Sequence, residues 1–182
     1  MKDRYEDLIA QLSFAFSHRL HHRFTSPHHQ VQLIDLSLRD VQALGNQLSI
    51  LAKSCSDQSW LFTFDGELGS GKTALIKALA KGLGFEEKEV QSPTFSYLMV
   101  LEGSTALYHF DLYRMKSCDD FECLGFEEHL DSSGICCIEW VEKIAQSTIL
   151  RQRPRLHFAL QFGRLKSLRN ICLMLSGTAQ RG

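Results

Sequence analysis

Between Trp60 and Leu83 the hydrophobic rhythm of the chain changes. The run from Trp60 to Asp65, "WLFTFD", is almost unbroken in apolar residues, as in a strand buried on both faces. From Thr73 to Leu83 the apolar residues Leu75, Ile76, Leu79 and Leu83 recur at helical spacing, which predicts a helix with one inward face. A glycine-rich turn separates the two. Upstream, a helical period starts from Ile34 and carries Val41, Leu44, Leu48 and Leu51, with Ser37 or Asp40 placed to cap it. Downstream, "FSYLMVLEGSTALYHFDLYRM" reads as two strands joined at Glu102, Gly103 and Ser104, a hairpin signal. A short acidic helical piece follows near Asp119 to Leu130. "GICCIEW" is a compact apolar strand that ends on a carboxylate. In "RLHFALQF" the alternation is Leu156, Phe158, Leu160 and Phe162, and in "NICLML" it is Ile171, Leu173 and Leu175, so both read as strands. No internal repeat occurs. An early βα unit followed by a hairpin and terminal strands predicts an α/β fold, a mixed parallel and antiparallel sheet with helices packed on it.

Composition changes this picture little. The chain has 182 residues, 44% hydrophobic and 23% charged, with a net charge of −1, ordinary values for a single globular domain. Charge distribution is more informative. Residues 85–150 contain thirteen Asp or Glu against four Lys or Arg, whereas residues 151–182 contain seven Lys or Arg and no acid. A basic end of this kind suits either a solvated face or an anionic partner. None of the six cysteines forms a C-x-x-C pair, and the adjacent Cys136 and Cys137 would face opposite sides of a strand. No apolar run reaches the roughly 18 residues needed to span a membrane. The first thirty residues carry acids at Asp3, Glu6 and Asp7 and lack a sustained apolar core, so they do not read as a secretory signal. Reduced thiols and a cytoplasmic location are the expectation. The same stretch holds His18, His21, His22, His28 and His29 around Pro27. A loosely ordered or helical extension is expected there, ahead of a metal site.

The glycine-rich turn carries the chemistry. Gly66 to Thr73, "GELGSGKT", fits G-x-x-x-x-G-K-[ST] in a strand–loop–helix setting. Glycines allow positive φ, so successive backbone N–H groups can turn inward as an anion-binding nest. The helix that follows adds its free N–H groups and the positive end of its dipole. Lys72 supplies a compact charge for β- and γ-phosphates, and the Thr73 hydroxyl suits Mg²⁺. Two apolar strands close on acids, Asp111 and Glu139, and either fits the carboxylate that holds Mg²⁺ beside such a loop. In "SPTFSY", Ser92 or Thr94 could bring a hydroxyl to the γ-phosphate as a switch segment does. Trp140 adjoins Glu139, where it could shield the site or serve as packing.

In order and spacing, "GELGSGKT", "SPTFSY", "YHFDLYR", "ECLGFEE" and "IEW" resemble the small bacterial TsaE proteins, formerly the YjeE group, over roughly Asp35 to Phe162. The resemblance implies a P-loop NTPase-like three-layer fold, a single P-loop ATPase domain over residues 31–178 that follows the extension over residues 1–30. It implies an ATPase that supports threonylcarbamoyladenosine modification of tRNA, with ATP and Mg²⁺ as ligands. Its implied partners are two sugar-kinase-like proteins, its contact with tRNA is indirect, and it has no membrane association. Carried onto this chain, Glu67, Leu68, Gly69, Ser70, Gly71, Lys72 and Thr73 would wrap the phosphates, with Trp140 beside the nucleotide. Thr73 and Glu139 would be the magnesium ligands. Asp111, Lys72 and Thr94 would serve hydrolysis. Ala74 departs from the threonine often found there, and residues 1–30 have no counterpart in the family.

Two other functions share this loop. A small-molecule kinase would bring arginines over the phosphates, but the region after the loop is acidic and would repel a phosphorylated acceptor. A nucleotide-gated adaptor would need the loop but not hydrolysis. The chain lacks an N-K-x-D stretch for reading guanine, which argues against a GTPase. Arg114, in "DLYR", is the nearest candidate for an arginine finger, although a structural ion pair suits it better.

Overall fold

The computed structural model describes residues 2–15, 30–53 and 59–177. Among them, seven strands form one sheet in the order β1-β7-β6-β2-β5-β4-β3. The strands are β1 (Gln30–Leu36), β2 (Ser59–Gly66), β3 (Leu98–Leu101), β4 (Leu107–Asp111), β5 (Gly134–Glu139), β6 (Arg155–Phe162) and β7 (Arg169–Ser176). β2 lies at the centre, parallel to both β5 and β6, and β4 is parallel to β5. The two hairpin partners, β3 with β4 and β7 with β6, are antiparallel, as is β1 with β7. The sheet is therefore mixed, as the order of patterned segments predicts.

Alternation along the strands sends apolar groups to both faces. Trp60, Phe62 and Phe64 join one core cluster with α2 (Leu38–Lys53), α3 (Lys72–Leu83) and α1 (Lys2–Ala15). Leu61 joins the other, under α4 (Cys118–Cys123), α5 (Glu127–Asp131), a 3₁₀ turn (Val141–Ile144) and α6 (Thr148–Gln152). Phe158 stacks on Phe64 at 5.0 Å and meets Phe62 edge-on at 5.9 Å. Each of these buried rings contributes about 1.5–3 kcal/mol. Cys136 and Cys137 are both buried and face opposite clusters, as a strand requires. Burial pushes both thiols up, so neither is poised as a thiolate.

α2 and α3 pack in close contact because Gly45 lets them: a Cβ there would lie 2.5 Å from Ala78 Cβ and 2.7 Å from the Leu79 nitrogen. Ser37 and Asp40 cap α2 jointly. The Ser37 N–H and hydroxyl donate to Asp40 Oδ2 at 2.9 and 2.6 Å, and the Asp40 N–H donates back to Ser37 Oγ at 3.3 Å.

The helical period read from Ile34 begins too early, since Gln30–Leu36 is strand. Val31 and Leu33 alternate inward as a strand should, but the register shifts between Leu33 and Leu36, and Asp35 takes φ 53°. That bulge breaks the period-2 signal over the last residues. Ahead of β1, α1 buries Tyr5, Leu8, Ile9 and Leu12 in the first cluster. Tyr5 Oη accepts from the Leu61 N–H at 3.0 Å, and its ring meets Trp60 edge-on at 5.1 Å. The five histidines between 18 and 29, and Cys55, lie outside the described residues.

His157, on β6, gives the fold a pH dependence. Its Nδ1 lies 3.1 Å from Thr63 Oγ1, and burial lowers its pKa, with Asp65 opposing and Arg155 reinforcing the shift. Just below the ordinary histidine value of about 6.5, the unfolded chain therefore binds a proton that the folded chain refuses. Stability is expected to fall as the pH drops through that window. Urea midpoints at pH 7.5 and 5.5 check this: the wild type should lose more stability between them than His157→Asn, and equal losses would contradict it.

Candidate functional site

The site lies where β2, β4 and β5 end together. Register places Asp111 beside Glu139 and Phe64 beside Glu139, so two carboxylates and the start of the glycine loop share one edge. Leaving β2, the chain turns through Gly66 (φ 140°), Gly69 (φ 79°) and Gly71 (φ 105°) before α3 begins at Lys72. All three angles fall where side chains are strained, so glycine is required for the loop to close. The first-turn N–H groups of α3 have no intrahelical acceptors and point their dipole into this loop. Ser70 Oγ is buried without a hydrogen-bond partner among the described residues, an unpaired donor under the loop.

Lys72 is buried and folds back. Its Nζ donates to the carbonyls of Gly66 at 2.7 Å and Glu67 at 3.1 Å, and sits 3.7 Å from the centre of the Trp140 ring. Burial lowers its pKa, with Glu139 the largest of the nearby carboxylates acting against that shift. Trp140 itself has φ 61° and is anchored by its N–H to the Phe64 carbonyl at 3.0 Å, with Tyr113 packed on it at 4.9 Å.

Thr73 Oγ1 donates to Glu139 Oε1 at 2.8 Å and Oε2 at 3.0 Å. Glu139 Oε1 also lies 2.9 Å from His109 Nε2. Asp111 Oδ2 accepts from Thr94 Oγ1 at 2.6 Å and from Ser92 Oγ, while Oδ1 accepts from the Tyr113 N–H at 3.1 Å. Ser92 and Thr94, the two hydroxyls between which the sequence left a choice, are therefore both tied to Asp111. A cleft of about 320 Å³ runs between these groups. Leu68, Gly69, Gly71, Lys72, Thr73, Thr94, Asp111, Glu139 and Trp140 all line it. Of the residues expected to surround a phosphate, Glu67 and Ser70 do not: Glu67 offers Lys72 its carbonyl, and the Ser70 side chain lies buried beneath the loop.

The residues fit a magnesium-chelated polyphosphate. Thr73, Glu139 and Asp111 present oxygen donors of the kind a hard cation takes, and the loop amides with Lys72 present donors to anionic oxygens. Arg114, expected in an ion pair, instead lies over the exposed Phe95 ring, 4.0 Å from its centre. Two contributors escaped the sequence reading. His109 looks like an interior strand residue. Arg169 comes from the far end of the chain, where its guanidinium lies 4.7 Å from the Phe162 ring centre and donates to the Gly69 carbonyl at 3.1 Å. Only the pairing of β7 with β6, and β6 with β2, brings it to the loop.

The family model described as "Threonylcarbamoyl adenosine biosynthesis protein TsaE" matches residues 36–170. The chain belongs to the TsaE family. Curated relatives named "tRNA threonylcarbamoyladenosine biosynthesis protein TsaE" include one from Treponema pallidum (strain Nichols), 43% identical over 89 residues, or 49% of this chain and 65% of the relative. One from Bacillus subtilis (strain 168) is 40% identical over 87 residues, covering 47% and 53%. One from Haemophilus influenzae (strain ATCC 51907 / DSM 11121 / KW20 / Rd) is 37% identical over 97 residues, covering 52% and 60%. The chain thus spans between half and two thirds of the length of these relatives. Among solved structures, "Crystal structure of Bacillus subtilus YdiB" superposes with a TM-score of 0.63 at 25% identity, covering 84% of this chain and 90% of that one. The TsaE fold seen here is thus P-loop NTPase-like, three layers around a mixed sheet. No described helix is long and apolar enough to cross a membrane.

The loop's closure hinges on Gly66, where a Cβ would lie 2.2 Å from the Leu160 carbonyl oxygen. Gly66→Ala should therefore cost about 1–3 kcal/mol of folding stability through strain and overlap. Chemical denaturation measures it, and an unchanged midpoint would show that the loop does not need this geometry.

Proposed function

We propose that this TsaE-family protein is a Mg²⁺-dependent ATPase that supports threonylcarbamoyladenosine modification of tRNA. One observation carries the reading: Lys72, Thr73, Glu139 and the Asp111–Thr94 pair, scattered over nearly seventy residues, converge on one cleft at the mouth of the glycine loop. The names of the curated relatives support the pathway, and the residues gathered at the cleft support the chemistry.

Loop amides and Lys72 would bind the β- and γ-phosphates, where Lys72 exchanges its two carbonyl contacts for anionic oxygens. Thr73 and Glu139 would hold Mg²⁺, whose chemistry is to neutralise charge on the phosphoryl oxygens. Asp111 accepts hydrogen bonds at both carboxylate oxygens, so it is oriented to receive a proton from an attacking water. Thr94 ties this carboxylate to the switch segment. Trp140 covers the Lys72 ammonium and keeps water from it. Among the described residues no arginine lines the cleft: Arg114 rests on Phe95 and Arg169 donates to the Gly69 carbonyl. Turnover is accordingly slow in isolation, which suits a nucleotide-controlled switch acting on partners. Those partners are two sugar-kinase-like proteins, which transfer the threonylcarbamoyl group while contact with tRNA stays indirect.

Lys72→Ala should abolish ATP binding measured by calorimetry. Asp111→Ala should retain it, yet lose phosphate release and repeated rounds of modification in a reconstituted assay with the partners and unmodified tRNA. Full modification by Asp111→Ala would instead favour a nucleotide-gated adaptor in which hydrolysis is dispensable.

Trp140 also offers an optical signal. With Trp60→Phe removing the buried second indole, adding Mg·ATP should change the remaining emission as the Lys72 ammonium, 3.7 Å from the ring centre, moves toward phosphate. A saturating titration without spectral change would contradict the coupling of Lys72 and Trp140.

A further inference from the structure

One fully buried polar side chain has no part in the steps above. His109 lies on β4 two residues before Asp111, in register with Cys137, and has no exposed surface. Its Nε2 sits 2.9 Å from Glu139 Oε1, the same oxygen that accepts from Thr73 Oγ1 at 2.8 Å. A carboxylate only accepts, so Nε2 carries the proton of this bond. Nδ1, in contrast, is buried with no hydrogen-bond partner among the described residues. An unpaired buried nitrogen costs stability. A position needed for packing alone would be filled better by leucine or phenylalanine, which carry no such cost. The ring is therefore retained for the bond at Nε2.

We propose that His109 is a positioning residue for the magnesium side of the site. Its Nε2–H fixes the carboxylate of Glu139, whose terminal torsion is otherwise soft. The carboxylate is then held with both oxygens toward the Thr73 hydroxyl, at 2.8 and 3.0 Å. Three side chains from three elements are linked in this way: His109 on β4, Glu139 at the end of β5 and Thr73 in the first turn of α3. Outer partners of this kind orient the ligand, and losing one weakens metal binding about 10–100-fold. The proposal rests on the reading of Thr73 and Glu139 as the residues that hold Mg²⁺.

The test is calorimetric binding of ADP to the full chain, titrated once across a range of Mg²⁺ and once in EDTA, so that no turnover is needed. His109→Leu removes the donor at similar volume, and His109→Gln returns an amide donor near the Nε2 position. In His109→Leu the Mg²⁺ concentration giving half of the magnesium-dependent gain should rise about 10–100-fold. ADP affinity in EDTA should stay at the wild-type value, and His109→Gln should recover most of the loss. A wild-type magnesium response in His109→Leu would overturn the proposal. Equal losses with and without Mg²⁺, or a glutamine variant no better than leucine, would also overturn it, because they mark a merely structural role. If His109→Leu does not fold, His109→Asn, whose shorter amide falls short of Glu139, takes its place against His109→Gln with the same outcomes. Wild-type ADP binding that ignores Mg²⁺ would bring down the magnesium reading itself, and the proposal with it.

Discussion

The parallel pairing of β4, β5 and β2 is the constraint from which the site follows. Because the three strands run side by side in one direction, Asp111, Glu139 and the exit of β2 arrive at the same edge of the sheet. Strand–strand hydrogen bonds fix this alignment, and a slip of one residue would turn each carboxylate to the opposite face. The glycine loop then has one path available, up from β2 and into α3, and that path runs past both acids. The cost is local. Gly66, Gly69, Gly71 and Trp140 all take positive φ within a short distance, and Lys72 is held as a charge in a buried setting. Packing elsewhere compensates, including the aromatic contacts of Phe62, Phe64 and Phe158 in the core.

Two of the many acids in the middle of the chain stand at this edge. Glu139 and Asp111 are each occupied: the first by Thr73 and His109, the second by Ser92, Thr94 and the Tyr113 amide. These bonds hold the carboxylates in place, and each carboxylate keeps acceptor capacity for a further donor or a cation. The segment from Ser92 to Tyr97 is thereby tied to the carboxylate that stands beside the loop.

Much of this was legible in the residues. The β2–loop–α3 unit, the hairpin of β3 and β4, and the two terminal strands each carry a local signal: an apolar run before a helical period, a turn, and strict alternation. The acids closing "LYHFD" and "ICCIE" stood out because both end apolar strands in a chain that also carries a phosphate-loop motif. What the sequence hid has physical causes. The bulge near Asp35 interrupted the alternation of β1, so its last residues passed for the start of a helix. Arg169 reaches the loop only through two strand pairings that no local pattern reveals. His109, set in an apolar strand, shows its role only when Glu139 is seen beside it. Tyr5 closes the Leu61 N–H of β2 from a helix that lies outside the matched family segment, a contact no motif announces.

The central claim is that the turn between β2 and α3 receives the phosphates of a magnesium nucleotide. Isothermal titration of the full chain with Mg·ATP tests it most directly. The account predicts saturable one-to-one binding that competes with ADP. Well-folded protein that takes up no heat from Mg·ATP, alone or with its partner proteins present, would contradict it.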